Sequence, residues 1–295
     1  MKKLLFLFIL SASYIKAQDS VKVAAKDTSW KINGFIGLNL SQTSLNNWQG
    51  GGEDNFALTS IFNFEAKYTK NTNEWATKVD AQYGLLKSGN SSIFKKNADQ
   101  LFGFTRYSLH TSKKHIFYSL MADFRSQFSP GYNYYADSIA PGIVSNFMAP
   151  AYIQLALGME YKLADYFSAT ISPLAGKITV VNDRGLADAG AFGVTAAKLD
   201  TSGNVVTPGQ KVRYEFGGRV TIKFKKDLNK FVNLDTYADF FSNYVHNPGN
   251  IDVVWNTLIT LKINNSSYSF IKGSICLNNI VMNIRYIRIK WNPNH

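Results

Sequence analysis

From Trp30 onward the chain alternates apolar and polar residues with a period of two. Trp30, Ile32, Ile36, Leu38 and Leu40 fall on one face while Lys31, Asn33, Asn39 and Ser41 fall on the other, as the geometry of a β-strand requires. In "WATKVDAQYGLLK", Trp75, Val79, Ala81, Tyr83 and Leu85 oppose Lys78, Asp80 and Gln82; in "AYIQLALGMEYKL", Ile153, Leu155, Leu157, Met159 and Tyr161 oppose Gln154, Glu160 and Lys162. The alternation is sharpest in "KVRYEFGGRVTIKFK", where Val212, Tyr214, Phe216, Val220, Ile222 and Phe224 face away from Arg213, Glu215, Arg219, Lys223 and Lys225. These runs are about 11 to 15 residues long, against a mode of about 5 or 6 for strands of globular proteins and about 9 to 11 for a tilted membrane strand. About ten precede Asn264. With the closing segment, they predict an antiparallel up-and-down transmembrane β-barrel of about twelve strands, with 10 to 14 as the bounds.

The connections alternate in length. Short ones, "KNTNE", "TSKK", "LADY" and "KDLNK", take turns with long ones at 41–54, 88–98, 129–150 and 182–210. Short turns at one rim and long loops at the other are the pattern of outer-membrane barrels. Aromatic residues gather beside the short turns, Tyr68 with Trp75, Tyr161 with Phe167 and Phe224 with Phe231, as a membrane-interface girdle demands. A soluble β-sandwich or lipocalin-like barrel also alternates. Strand length, the alternation of loop length and the aromatic ends favour the membrane barrel.

Composition supports export. "MKKLLFLFILSASYIKAQ" has two lysines, a short apolar run and a small residue, Ala17, before Gln18, the layout of a secretory signal peptide. The expected organisation is a signal peptide over 1–17, a short leader over 18–29 and the barrel over 30–295. Removing Lys2, Lys3 and Lys16 lowers the formal charge from +12 to +9. The sole cysteine, Cys276, excludes an intrachain disulfide and a zinc site of several thiolates. No later stretch is long and apolar enough for a spanning helix.

The stretch "NNWQGGGED", Asn46 to Asp54, invites a phosphate-loop reading, but Lys and Ser or Thr do not follow the glycines; Glu53 and Asp54 do. Two carboxylates repel phosphate, and the residues beyond them alternate like a strand. The ligand ladder of a calcium loop is also missing. We read a turn whose glycines reach positive φ, with no metal site and no cofactor.

No catalytic residues are assigned. His246 with Asp239 and Ser242 is a constellation for an outer-leaflet lipid hydrolase, yet no strained G-x-S-x-G elbow is present. On the polar faces, basic residues outnumber acidic ones eleven to eight. Such charges either pair and fill a narrow interior or line a pore of mild anion preference. Arg213, Arg219 and Lys223 share a face, and with Trp48, Tyr132 and Tyr134 of the loop mouth they are the candidate ligand-binding residues, suited to a small polar or anionic solute. "NDRGLADAGAFGV", 182–194, is expected to fold into the mouth as a plug or short helix, with Asp183 and Arg184 pairing with lumen charges. The basic residues are spread over separate strands rather than gathered in a stripe with stacking aromatics, so no nucleic-acid partner is implied.

Several loop motifs in order, "NNWQGGGEDNFALTSIFN", "QFSPGYNY", "SNFMAPAYIQLALGMEYK" and "SPLAGKITVVND", resemble the domain of unknown function 3078, exported proteins of Bacteroidetes, over about Trp30 to Leu261. The resemblance implies an outer-membrane barrel, with outer-membrane lipid and the barrel-assembly machinery as partners and with no substrate to carry over. The chain departs from that pattern after about residue 264. No acidic residue follows Asp252, and the ending Asn292-Pro293-Asn294-His295 replaces the terminal aromatic that related barrels present. The expected role is a small solute transport or binding barrel, with a plugged structural or envelope-assembly barrel as the main alternative.

Overall fold

The computed structural model describes residues 29–289 apart from 48, 90, 135–137, 263–267 and 278–280. The expected signal peptide over 1–17, all but the last residue of the expected leader over 18–29, and the terminal 290–295 lie outside the described residues. Twelve long strands form one antiparallel sheet in chain order: β1 (Trp30–Thr43), β2 (Asn55–Lys70), β3 (Asn73–Ser88), β4 (Lys95–His110), β5 (Ile116–Ser126), β8 (Ala151–Ala164), β9 (Phe167–Val180), β12 (Val212–Asn229), β13 (Val232–Asn243), β14 (Ile251–Lys262), β15 (Tyr268–Leu277) and β16 (Val281–Ile289). The two longest connections carry small hairpins of their own, β6 (Gly131–Tyr134) with β7 (Ile139–Ser145), and β10 (Lys198–Leu199) with β11 (Val205–Thr207). The second also holds a short helix, α1 (Arg184–Asp188). All the expected long loops lie at one end of the sheet and the expected tight turns at the other.

The distribution of burial is inverted relative to a soluble protein. Along β8, Leu155, Leu157, Met159 and Tyr161 are exposed, whereas Glu160 between them is fully buried. Along β12, Tyr214 and Phe216 are exposed while Glu215, Arg219 and Thr221 are buried. Ile36 and Leu38 stand 81% and 74% exposed on β1. Soluble proteins do scatter single apolar side chains over their surfaces, but here large apolar side chains recur along one face of successive strands while charged ones are buried on the other. Hydroxyls on that belt are satisfied locally: the Trp75 indole donates to Thr105 at 2.8 Å, and the Trp255 indole to Thr236 at 2.9 Å.

The sheet curls, because side chains on strands three or four places apart touch across its concave face. Arg219 on β12 reaches Asp123 on β5, Lys177 on β9 reaches Asp252 on β14, and Lys223 on β12 lies over the ring of Phe104 on β4. Met121, Ala156, Ala175 and Phe241 pack inside, with Phe104 against them. Among the described residues no ladder joins β1 to β16, so the structure shows the curled twelve-stranded sheet of the expected barrel and not its seam.

Strand β9 breaks the two-residue rhythm. Thr170 and Ser172 point inward, Pro173 and Leu174 are both exposed, and Ala175 and Thr179 point inward again. Both neighbours register the extra residue: Met159 pairs with Ile171 but Leu157 with Leu174, and Arg219 pairs with Ser172 but Gly217 with Ala175. Proline has no N–H to give the ladder, so a bulge there costs least. Gly158 lies opposite, where a Cβ would run into the Ile171 carbonyl and the Ser172 backbone.

Candidate functional site

The interior divides at mid-height. Toward the long loops it opens into a cavity of about 550 Å³ lined by Asp123, Arg125, Tyr152, Gln154, Lys177, Thr179, Phe192, Gly193, Arg213, Glu215, Asp239, Phe241, Asp252, Val253 and Val254. β5, β8, β9, β12 and β13 each contribute alternate residues from their long-loop ends, and β14 contributes Asp252, Val253 and Val254 in succession. β9 does so through its bulge, which turns Lys177 into the chamber.

Arg219 closes the floor. Its Nε and Nη2 meet Asp239 Oδ1 and Oδ2 at 2.8 and 3.1 Å, and its Nη1 meets Asp123 Oδ2 at 2.5 Å. Thr221 Oγ1 also donates to Asp239, at 3.0 Å. The guanidinium is 2% exposed and bridges strands on opposite sides of the interior. The bidentate fork matches guanidinium to carboxylate, and the second acid compensates further for desolvation. Below this tie further charges pair or stack: Lys223 lies over Phe104 and Tyr237, Arg106 pairs with Glu160, and Lys162 with Glu74.

The chamber walls are also largely paired. Lys177 Nζ lies 2.6 Å from Asp252 and 3.7 Å from Glu215, and Arg213 pairs with Glu215. Arg213 also donates to the Gly193 carbonyl at 3.2 Å, which holds the middle of the long β9–β12 loop at the mouth. Arg125 is the least committed cation, 4.0 Å from Asp123 and stacked over Phe102. With Arg219 counted, four basic and four acidic side chains meet at the chamber. The anion-selective surplus expected from the strand faces is not reproduced there.

The candidate residues separate accordingly. Arg213 lines the chamber, Arg219 lies beneath it and Lys223 deeper still, all on one face of β12. Tyr132 and Tyr134 meet edge-on, with ring centroids 6.4 Å apart, and stay outside the chamber. The Tyr134 hydroxyl accepts from Lys96 N at 3.3 Å. Trp48 lies outside the described residues. Asp183 and Arg184 do not pair with lumen charges: Asp183 caps α1 by accepting from Leu186 N, and Arg184 donates to the Gly209 carbonyl at 2.6 Å. Phe192 and Gly193, from the same loop, reach the mouth in their place. The glycine loop is a turn, with Gly51 and Gly52 at φ +77 and +113 and Asp54 Oδ1 accepting from Leu45 N at 2.7 Å. The triad of the hydrolase reading does not assemble. Asp239 is held by Arg219 inside, Ser242 donates to the Pro248 carbonyl at 2.7 Å, and alternation along β13 puts the two on opposite faces.

Two loop anchors escaped sequence reasoning. Asp99 accepts from Phe128 N at 2.7 Å, Ser129 N at 3.1 Å and Lys96 Nζ at 2.7 Å, and so fastens the β6–β7 segment to the start of β4. Asp99→Ala should strand two backbone donors, while the Lys96 ammonium keeps the Ser129 carbonyl at 2.8 Å, a local loss of about 1 to 3 kcal/mol. Limited proteolysis should then cut within 128–145 well before the sheet unfolds, whereas wild type resists. At the tip of the β10–β11 hairpin, Asp200 accepts from the backbone of Asn204 and Ser202, which holds its carboxyl below the usual carboxylate range. Its support for the turn is present above the ordinary carboxylate value and is lost as pH falls through the depressed one.

Residues 40–132, the end of β1 to β6, match the model of a family described as a protein of unknown function (DUF3078). The match is narrower than the span over which the motifs show the resemblance. No curated protein matches the chain. Among solved structures, the translocator domain of autotransporter NalP from Neisseria meningitidis is similar at 11% identity and a TM-score of 0.39, over 85% of this chain and 84% of that one.

Proposed function

We propose that this protein is an integral outer-membrane β-barrel that admits a small polar solute to a chamber under its long loops and is shut at mid-height by the Arg219 tie. The reading is carried by one observation: large apolar side chains cover the outside of the sheet while Glu160, Arg219, Asp123 and Asp239 are buried within it. Only a lipid solvent makes that arrangement the stable one. The long loops then face the exterior and the short turns the periplasm. Insertion falls to the barrel-assembly machinery, and β1 and β16 supply the seam.

The chamber supports binding more directly than free passage. Charges of both signs around Tyr152, Phe192 and Phe241 offer hydrogen bonds and stacking faces to a polar molecule. Ion flow would first have to displace a buried guanidinium held by two carboxylates. In a planar bilayer the wild-type protein should therefore be closed for most of the record, and simultaneous replacement of Arg219, Asp123 and Asp239 by Ala should give steady conductance. Steady, porin-like conductance from wild type would remove the closed floor from this reading. A silent bilayer from both folded proteins would leave the plugged, structural barrel.

A further inference from the structure

The short turns carry a second arrangement that the chamber does not use. The turn between β8 and β9 and the turn between β12 and β13 are neighbours, joined by Lys225 N donating to the Tyr166 carbonyl at 2.8 Å. Asn229 Oδ1 accepts from Phe231 N at 2.8 Å and Val232 N at 3.0 Å, which fixes the second turn. On this framework Lys226 Nζ lies 4.5 Å from the centroid of Tyr166, Tyr166 packs edge-on against Phe224, and Lys230 Nζ lies 4.9 Å from the centroid of Phe231. Tyr166 and Phe231 are both exposed.

The three lysines of this hairpin are not equivalent. Lys225 alternates onto the inner face and has a carboxylate partner, Asp235, at 3.5 Å. Lys226 alternates onto the outer face with Phe224, and Lys230 sits at the turn. Among the described residues neither lies within ion-pair distance of a carboxylate. Two carboxylates lie in the same turns, Asp165 beside Tyr166 and Asp227 beside Lys226, and Asp227 accepts from Asn233 Nδ2 at 2.8 Å instead, so a cation at the rim of an apolar belt, seated over aromatic rings, has room for a counter-charge from outside the protein. The chemistry at that level of a membrane is the phosphodiester of a lipid headgroup.

We infer that Tyr166, Lys226, Lys230 and Phe231 form a binding site for the headgroup of an anionic phospholipid in the leaflet at the short-turn rim. The inference rests on the membrane reading above. The two ammonium groups and the Tyr166 hydroxyl donate to the phosphate oxygens, and the rings sit at the glycerol level. Lysines near a membrane surface favour anionic lipid by about fivefold each. The site also sets the depth and tilt at which the sheet sits, because headgroup contacts at two adjacent turns pin one side of the rim.

The test uses the mature protein in nanodiscs of mixed phosphatidylethanolamine and phosphatidylglycerol, with folding verified by heat-dependent gel mobility. Native mass spectrometry should find phosphatidylglycerol enriched among retained lipids. Lys226→Gln with Lys230→Gln should lower that enrichment by about tenfold or more. Lys226→Arg with Lys230→Arg should preserve it, and Lys198→Gln with Lys211→Gln, at the opposite rim, should leave it unchanged. Equal enrichment in the Gln pair, or none in folded wild type, overturns the site while leaving the barrel intact. A wild-type chain that is folded and monomeric without any amphiphile overturns the membrane reading and the site with it.

Discussion

Leu157→Arg should unfold or strongly destabilise the protein in a bilayer, by about 2 to 4 kcal/mol, while Gln154→Arg, three residues away on the same strand, should cost little. The two positions lie within one strand, Leu157 near its middle and Gln154 nearer the long loops, and they point to opposite faces. Leu157 is 50% exposed on the outer belt and Gln154 lines the chamber. In water the expected order reverses, because a half-exposed leucine tolerates arginine and a residue inside a charged cavity need not. The sign of the difference therefore reports the solvent. Val220→Arg, on the outer face of β12, should behave like Leu157→Arg. Urea titration of each variant in lipid vesicles, followed by tryptophan fluorescence, gives the comparison. Equal midpoints for Leu157→Arg and wild type would mean that the apolar belt does not meet hydrocarbon.

Arg219→Met should be the most damaging substitution inside the sheet, at about 3 to 5 kcal/mol. It removes one cation and leaves two carboxylates, Asp123 and Asp239, each about 5% exposed, with their bonds to the guanidinium gone. The cost arises from those stranded charges more than from the attraction lost. For that reason Arg219→Met combined with Asp123→Asn and Asp239→Asn should recover most of the stability, and the residual deficit should be smaller than that of the single change. The same vesicle titration resolves the two. If the triple variant is no more stable than Arg219→Met, the loss comes from packing around the side chain rather than from unpaired charge.

The strands and their faces were legible because an apolar outer face and a polar inner one leave a clean alternation through most of β8 and β12, interrupted in β12 by Gly218. The hidden parts have physical causes. Asp123 and Arg219 are 96 residues apart, and only the curvature of the sheet makes them partners. Lys177 faces inward only because of the bulge; parity carried from Ile171 would send it outward. The Asp183 cap of α1 has a local signal, an acid one residue before a helix, but its competing use as a lumen partner could not be decided from one sequence. Tyr132 and Tyr134 had the right chemistry for a mouth site. Their position was decided by Asp99, an acid on the opposite, outer alternation of β4 whose partners lie in another loop.

The extra residue at Pro173 also bears on which changes of chain length this protein can survive. A loop of the long-loop rim can gain or lose residues without altering any strand face. Within β9 the loss of one residue at the bulge would exchange the two faces for everything beyond it, sending Lys177 and Thr179 to the outer face and Ile178 toward the chamber. No repair by substitution at a single position is available, since the whole segment to Val180 moves together. Among relatives, residue identities along 168–180 are thus expected to drift far more freely than the number of residues, and length variants should collect in the connections.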